Sequence, residues 1–198
     1  MPVPVIGIVG GIGSGKSAVA AEFARHGGVV IAGDQLGHEA LRQPDIQARI
    51  VERWGERVRS PAGDIDRKGL AAIVFADRGE LAALESITHP YIGQRIREEI
   101  DRANCRPEVR LIVLDAALLL EAGWHDVCTH TVFVDAPREV RLQRLEQRRG
   151  WKAREMDERE KVQMPTSEKR RRADAVVDNS GAPEQIAVQV RELLARWG

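Results

Sequence analysis

The sequence predicts an α/β protein built on a parallel sheet, and three observations carry that prediction. Short apolar, β-branched runs alternate with helical patterns along the chain, the order expected of strands joined by helical crossovers. Gly10-Gly11-Ile12-Gly13-Ser14-Gly15-Lys16-Ser17 fits the phosphate-loop pattern G-x-x-x-x-G-K-[ST] at every fixed position, between one such run and one such helix. A polar site follows each run: the glycine loop, then Asp34, Asp115, Asp135 and Asp178-Asn179. Open α/β sheets bind their ligands there, outside the carboxyl ends of the strands.

The elements follow in order. Residues 5–9 read as the first, buried strand, and 18–24 as the helix that receives the loop. Residues 29–32 give a second strand. A long helical section comes next, interrupted by Pro44 and by Pro61 with Gly63, with helical pieces at 71–75, 81–87 and 91–100. It is too long for a simple crossover and predicts a helical cap at about 35–106. Strands follow at 109–114, 131–134 and 175–177. A charge-dense insertion at about 150–172 follows the fourth strand's helix, and 183–197 reads as a closing helix with Pro183 near its first turn.

Composition narrows the function classes. A chain of 198 residues with 43% hydrophobic and 30% charged residues is sized for one domain with a real core. Zero formal charge gives no global field for nucleic acid or anionic lipid. Met1-Pro2-Val3-Pro4 runs into the first strand without a basic leader, and no apolar run is long enough to span a bilayer. Cys105 and Cys128 form no C-x-x-C pair, which suits a reducing compartment. The expectation is a cytoplasmic protein, a monomer or weak homo-oligomer, that contacts neither membrane nor nucleic acid.

The candidate chemistry centres on a nucleotide triphosphate. Backbone N–H groups of Gly11, Ile12, Gly13, Ser14 and Gly15, with the positive end of the following helix, form an anion site. Lys16 adds a charge for the β- and γ-phosphates, and the Ser17 hydroxyl can ligate Mg²⁺. Asp115, closing a buried strand, is placed as the second Mg²⁺ residue, direct or through water. Asp34 is placed to accept an acceptor's proton; it also opens a helical stretch, and position alone leaves base and N-cap open. For Asp135, before Ala136-Pro137, the cap is preferred. Arg141, Arg144 and Arg148 share one helix face leading into the insertion, and beside a phosphate loop they read as a lid that closes on ATP. Leu118 lies in a leucine run that suits packing, and Glu121 is either a supporting acid or a surface residue. Lys169-Arg170-Arg171-Arg172 has no aromatic platform nearby, which argues against nucleic acid. His125, Cys128 and His130 match no zinc spacing.

The chain resembles the dephospho-CoA kinase family over nearly its whole length. The resemblance rests on residues 9–17, on Gly63-Asp64-Ile65-Asp66-Arg67-Lys68-Gly69-Leu70, Ile73-Val74-Phe75, Ile87-Thr88-His89-Pro90, Arg144-Leu145-Glu146-Gln147-Arg148, Gln163-Met164-Pro165 and Ala173-Asp174-Ala175-Val176-Val177-Asp178-Asn179-Ser180-Gly181. It implies a P-loop NTPase three-layer sandwich, a single kinase domain over 1–198 with the cap and lid as insertions. It also implies transfer of the ATP γ-phosphoryl group to the ribose 3′-hydroxyl of dephospho-CoA. Under it Asp34 is the general base, Lys16 and Arg148 stabilise the transferring phosphate, and Arg144, Asn179 and Gly181 bind ATP, with Asn179 by the adenine. His89, Leu118 and Arg141 fall on the acceptor side. The chain has Ala32-Gly33-Asp34 where the family has D-A-D, Ala117 for a proline, and Val9 and Ala18 for threonines. The alternative is another small P-loop kinase acting on a nucleoside, a nucleotide or a sugar acid.

Overall fold

The computed structural model describes residues 2–197; Met1, where the leader reading starts, and Gly198, the last residue of the 1–198 domain, lie outside them. The five strands, β1 (Val5–Gly10), β2 (Gly28–Ala32), β3 (Leu111–Asp115), β4 (His130–Asp135) and β5 (Ala175–Asp178), form one parallel sheet in the order β2-β3-β1-β4-β5. The chain divides into two compact units, one up to Ala32 and from Glu99 onward, the other Gly33–Glu98.

The first unit holds the sheet. All residues of β1 are buried, because β1 is the central strand and both its faces are covered, which is why it reads as a continuous apolar run. Ile6 and Ile8 pack with Val19, Ala20 and Phe23 of α1 (Lys16–Ala24) and with Ile186 and Val190 of α9 (Pro183–Trp197). Gly7 points elsewhere: a Cβ there would lie 2.6 Å from Leu119 and 2.8 Å from the Cys128 sulfur. Burial pushes the Cys128 thiol up to about 12, and the His130 ring stacks on Trp197 with centroids 4.2 Å apart. Both residues are thus occupied by packing. Between β4 and β5 run α6 (Arg138–Arg149), α7 (Ala153–Glu160) and α8 (Thr166–Arg172).

The second unit holds α2 (Gly33–Ala40), α3 (Pro44–Trp54), α4 (Arg67–Val74) and the greater part of α5 (Arg78–Asn104). Pro44 starts α3, where its missing N–H costs nothing. Ile46, Ile50 and Trp54 recur every fourth residue and form its buried face. Asp66 caps α4 by accepting the Lys68 N–H at 3.0 Å.

Two expectations are corrected here. Segments 81–87 and 91–100 are not separate helical pieces; they are one helix, α5, with Pro90 inside it. Ile87, Thr88, Ile92 and Ile96 are buried on both sides of the proline, so packing holds the helix through the missing hydrogen bond. Asp135 does not cap α6. The strand runs through Asp135, the cap position falls to Pro137, and the Asp135 carboxylate pairs with Arg170 instead.

Candidate active site

The end of β1 delivers the glycine loop to the start of α1. Gly15 takes a left-handed backbone, φ 88°, and a Cβ on it would lie 2.2 Å from Asn179 Nδ2. Only glycine fits there, on both counts. The close approach has a use: buried Asn179 donates from Nδ2 to Ser14 O at 2.7 Å, and Arg144 Nη1 donates to the same oxygen at 3.2 Å. The loop is therefore pinned from behind by its carbonyls. No side chain caps α1, and its first turn has no acid, so no side-chain charge offsets the positive end of its dipole beside the loop. Lys16 Nζ folds back over the loop, donating to Gly10 O and Gly11 O at 3.3 Å each.

Beside the loop the Ser17 hydroxyl donates to Asp115 Oδ2 at 2.7 Å. Parallel pairing of β1 with β3 sets this, since Ile8 stands opposite Asp115. A hydroxyl and a carboxylate side by side are the hard oxygen donors that a small divalent cation takes.

The arginines of α6 have distinct jobs. Arg141 is buried; its Nη1 donates to Ile12 O at 3.1 Å and pairs with Glu160 of α7. Arg144 Nη2 donates to Asn179 O at 2.8 Å. Burial, then the neighbouring Arg148 charge, pulls the Arg144 guanidinium below the usual arginine range. Arg148 itself is exposed. A residue that sequence reasoning missed joins them: Arg159 of α7 stands 4.4 Å from the Trp151 ring, with Arg149 5.1 Å from the same ring. Burial and then Arg149 depress its pKa too. In each pair the like charge, after burial, disfavours the charged form. The signal was Trp151, an aromatic in a charged insertion, for which arginine is the natural partner.

The remaining candidates are placed as follows. Leu118 lies half-buried in the turn after β3, and Gly181 lies exposed after β5. In the second unit, α2 begins at Gly33, so exposed Asp34 sits within its first turn and is not its cap. His89 is half-buried on α5, and burial holds its pKa below the usual histidine value. In the basic run at 169–172, Lys169 is buried against Glu121, Arg170 pairs with Asp135, and Arg171 and Arg172 share Glu168. Among the described residues no helix is long and apolar enough to cross a membrane.

Comparison with known proteins converges on one family. The sequence model of the family described as dephospho-CoA kinase matches residues 4–185. A dephospho-CoA kinase of Anaeromyxobacter dehalogenans is 41% identical over 192 residues, covering 96% of this chain and 90% of that protein. That of Geobacter sulfurreducens is also 41% identical, covering 97% and 98%. A crystal structure of a Thermus thermophilus protein superposes with a TM-score of 0.84 at 36% identity and full coverage of both chains. The loop, the Ser17–Asp115 pair and the arginine helix thus sit in a chain that belongs to the dephospho-CoA kinase family.

Proposed function

We propose that this protein transfers the γ-phosphoryl group of ATP to the ribose 3′-hydroxyl of dephospho-CoA, giving CoA and ADP. The observation that carries the proposal is the Ser17–Asp115 hydrogen bond beside a loop pinned by Asn179 and Arg144, in a chain of this family. Loop N–H groups and Lys16 hold the β- and γ-phosphates. Ser17 and Asp115 would hold Mg²⁺, which neutralises charge on the phosphate oxygens when bound. The acceptor's 3′-oxygen bonds to the γ-phosphorus as the bond to the β-phosphate oxygen breaks, and the hydroxyl proton goes to the Asp34 carboxylate. Arg144, Arg148 and Arg159 offset the charge that spreads over the transferring oxygens. Arg141 orients the loop through Ile12 O and does not need to touch acceptor. His89 and Leu118 serve the acceptor, and Asn179 and Gly181 the adenine side.

Under this reading the reaction takes place in the cytoplasm and is carried out by a monomer or weak homo-oligomer. The free thiols of Cys105 and Cys128 suit a reducing compartment, and the acidic partners of the 169–172 run support a reading without nucleic acid. The deciding experiment supplies purified protein with ATP, Mg²⁺ and one acceptor at a time: dephospho-CoA, AMP, shikimate or gluconate. ADP should form with dephospho-CoA at a rate far above the others. Preference for any other acceptor would replace this reading with that of another small P-loop kinase.

A further inference from the structure

The Lys169 side chain is only 2% exposed. An ammonium buried this deeply has shed its water and persists only where acceptors replace it. Lys169 Nζ has as many acceptors as it has protons: Glu121 Oε1 at 2.9 Å, Ala117 O at 3.3 Å and Gln163 Oε1 at 3.4 Å. Glu121 Oε1 accepts a further hydrogen bond from the Met164 N–H at 2.9 Å.

The acceptors come from two separate stretches. Ala117 and Glu121 bracket the turn that begins just after Asp115, the residue hydrogen-bonded to Ser17. Gln163 and Met164 form the connection between α7 and α8. Shortly before that connection, Glu160 is tied to the phosphate loop through Arg141 and Ile12 O. Residues 160–164 therefore cross two anchors, one to the loop after β1 and one to the turn after β3. A methionine or leucine at 169 would fill the same volume with no charge to desolvate. It would not aim two carbonyl oxygens and a carboxylate at one point.

We infer that Lys169 is a positioning residue for phosphoryl transfer. Its ammonium sets the 117–121 turn, and with it Asp115 and Leu118, in one register with the α7 segment that carries Arg159. This rests on the kinase reading above, and its test is arranged to stand apart from it.

Two variants are compared with wild type, Lys169→Met and the double variant Lys169→Met with Glu121→Leu. The single variant leaves the Glu121 carboxylate, whose side chain is 19% exposed, without its cation and should lose some stability. The double variant removes both charges and should recover much of that loss. With ATP affinity within about threefold of wild type, its turnover should nonetheless fall about a hundredfold, the scale of a small misplacement of reacting groups. Hydrogen exchange with ATP and Mg²⁺ alone should show residues 117–121 and 163–164 losing protection together, while the phosphate loop keeps its own. A double variant that turns over at the wild-type rate, or that leaves both segments as protected as before, would overturn the inference. So would one that fails to fold, since the pair would then serve the fold itself. If wild type ignores dephospho-CoA, the acceptor assignment falls, yet the exchange measured without acceptor still decides Lys169.

Discussion

At position 34, an amide in place of the carboxylate separates proton acceptance from helix support. Asparagine suits a helix start, so Asp34→Asn should fold with little loss and bind ATP through an untouched loop. Its kcat should drop roughly 10²–10⁴-fold, because the amide takes no proton; wild-type turnover would remove Asp34 from the chemistry. Lys16→Ala should lose about 3–4 kcal/mol of transition-state stabilisation, the worth of one preorganised donor, with the fold intact. Turnover measured beside the thermal midpoint checks it. Arg148 and Arg144 should part company although they share a helix face. Exposed Arg148 should give a variant slow in kcat with little change in acceptor KM. Arg144→Ala also removes one of the two hydrogen bonds to Ser14 O and the one from Arg144 to Asn179 O, so it should weaken ATP binding and lower the midpoint as well. The loop residues were legible from the sequence because their chemistry is written in consecutive positions. Arg141 with Glu160, and Lys169 with Glu121, were not. Their partners belong to other elements at separations that follow no period, and only the packed chain brings them together.

Among the elements, the strands were legible to within a residue or two, since an apolar run between polar ends leaves little choice. Helix α5 was misread because Pro90 looks like a boundary. A proline inside a helix leaves one carbonyl without its partner, and the buried residues Ile87, Ile92 and Ile96 outweigh that loss. The stretch from 150 to 172 is charge-dense in sequence. It has more anchors than its composition suggests: Met156 is fully buried, Arg138 pairs with Asp157 at 2.6 Å, and Trp151 lies against two arginines. The one ion pair among these ties, Arg138–Asp157, is exposed and adds little, so local opening stays cheap. Trypsin should therefore cut apo protein first at exposed Arg148, Arg149 or Arg154, and ATP with Mg²⁺ should slow those cuts severalfold. Equal cutting rates with and without nucleotide would remove the closing lid from the mechanism.

For the whole molecule, the shifted groups bound the pH range of stability from both sides. The His89 pKa is depressed by burial from an ordinary 6.5, so the unfolded chain takes up that proton first. Stability is whole above 6.5 and falls as pH drops toward the folded value. Glu80, held low by hydrogen bonds from Arg53 and Trp54, adds a second loss as pH falls below its ordinary 4.5. On the alkaline side Cys128 is raised from 9.0 to about 12. Stability is complete below 9.0 and declines as pH rises from there. Thermal midpoints taken from pH 4 to 10 should trace a dome, and His89→Gln should flatten its shoulder near pH 6.5; an unchanged shoulder would place that proton elsewhere. The position of β1 carries a different consequence, in time. This strand is made early, but its register partners are Ile112 on one side and His130 on the other. Such distant pairings are slow to form, whereas the helices of 33–98 need only near neighbours. During synthesis the strand that delivers the phosphate loop must wait, unpaired and apolar, while more than a hundred further residues emerge. Nucleotide binding is thus among the last properties the growing chain acquires, and a ribosome stalled before β4 carries a chain with every loop residue and no place for a phosphate.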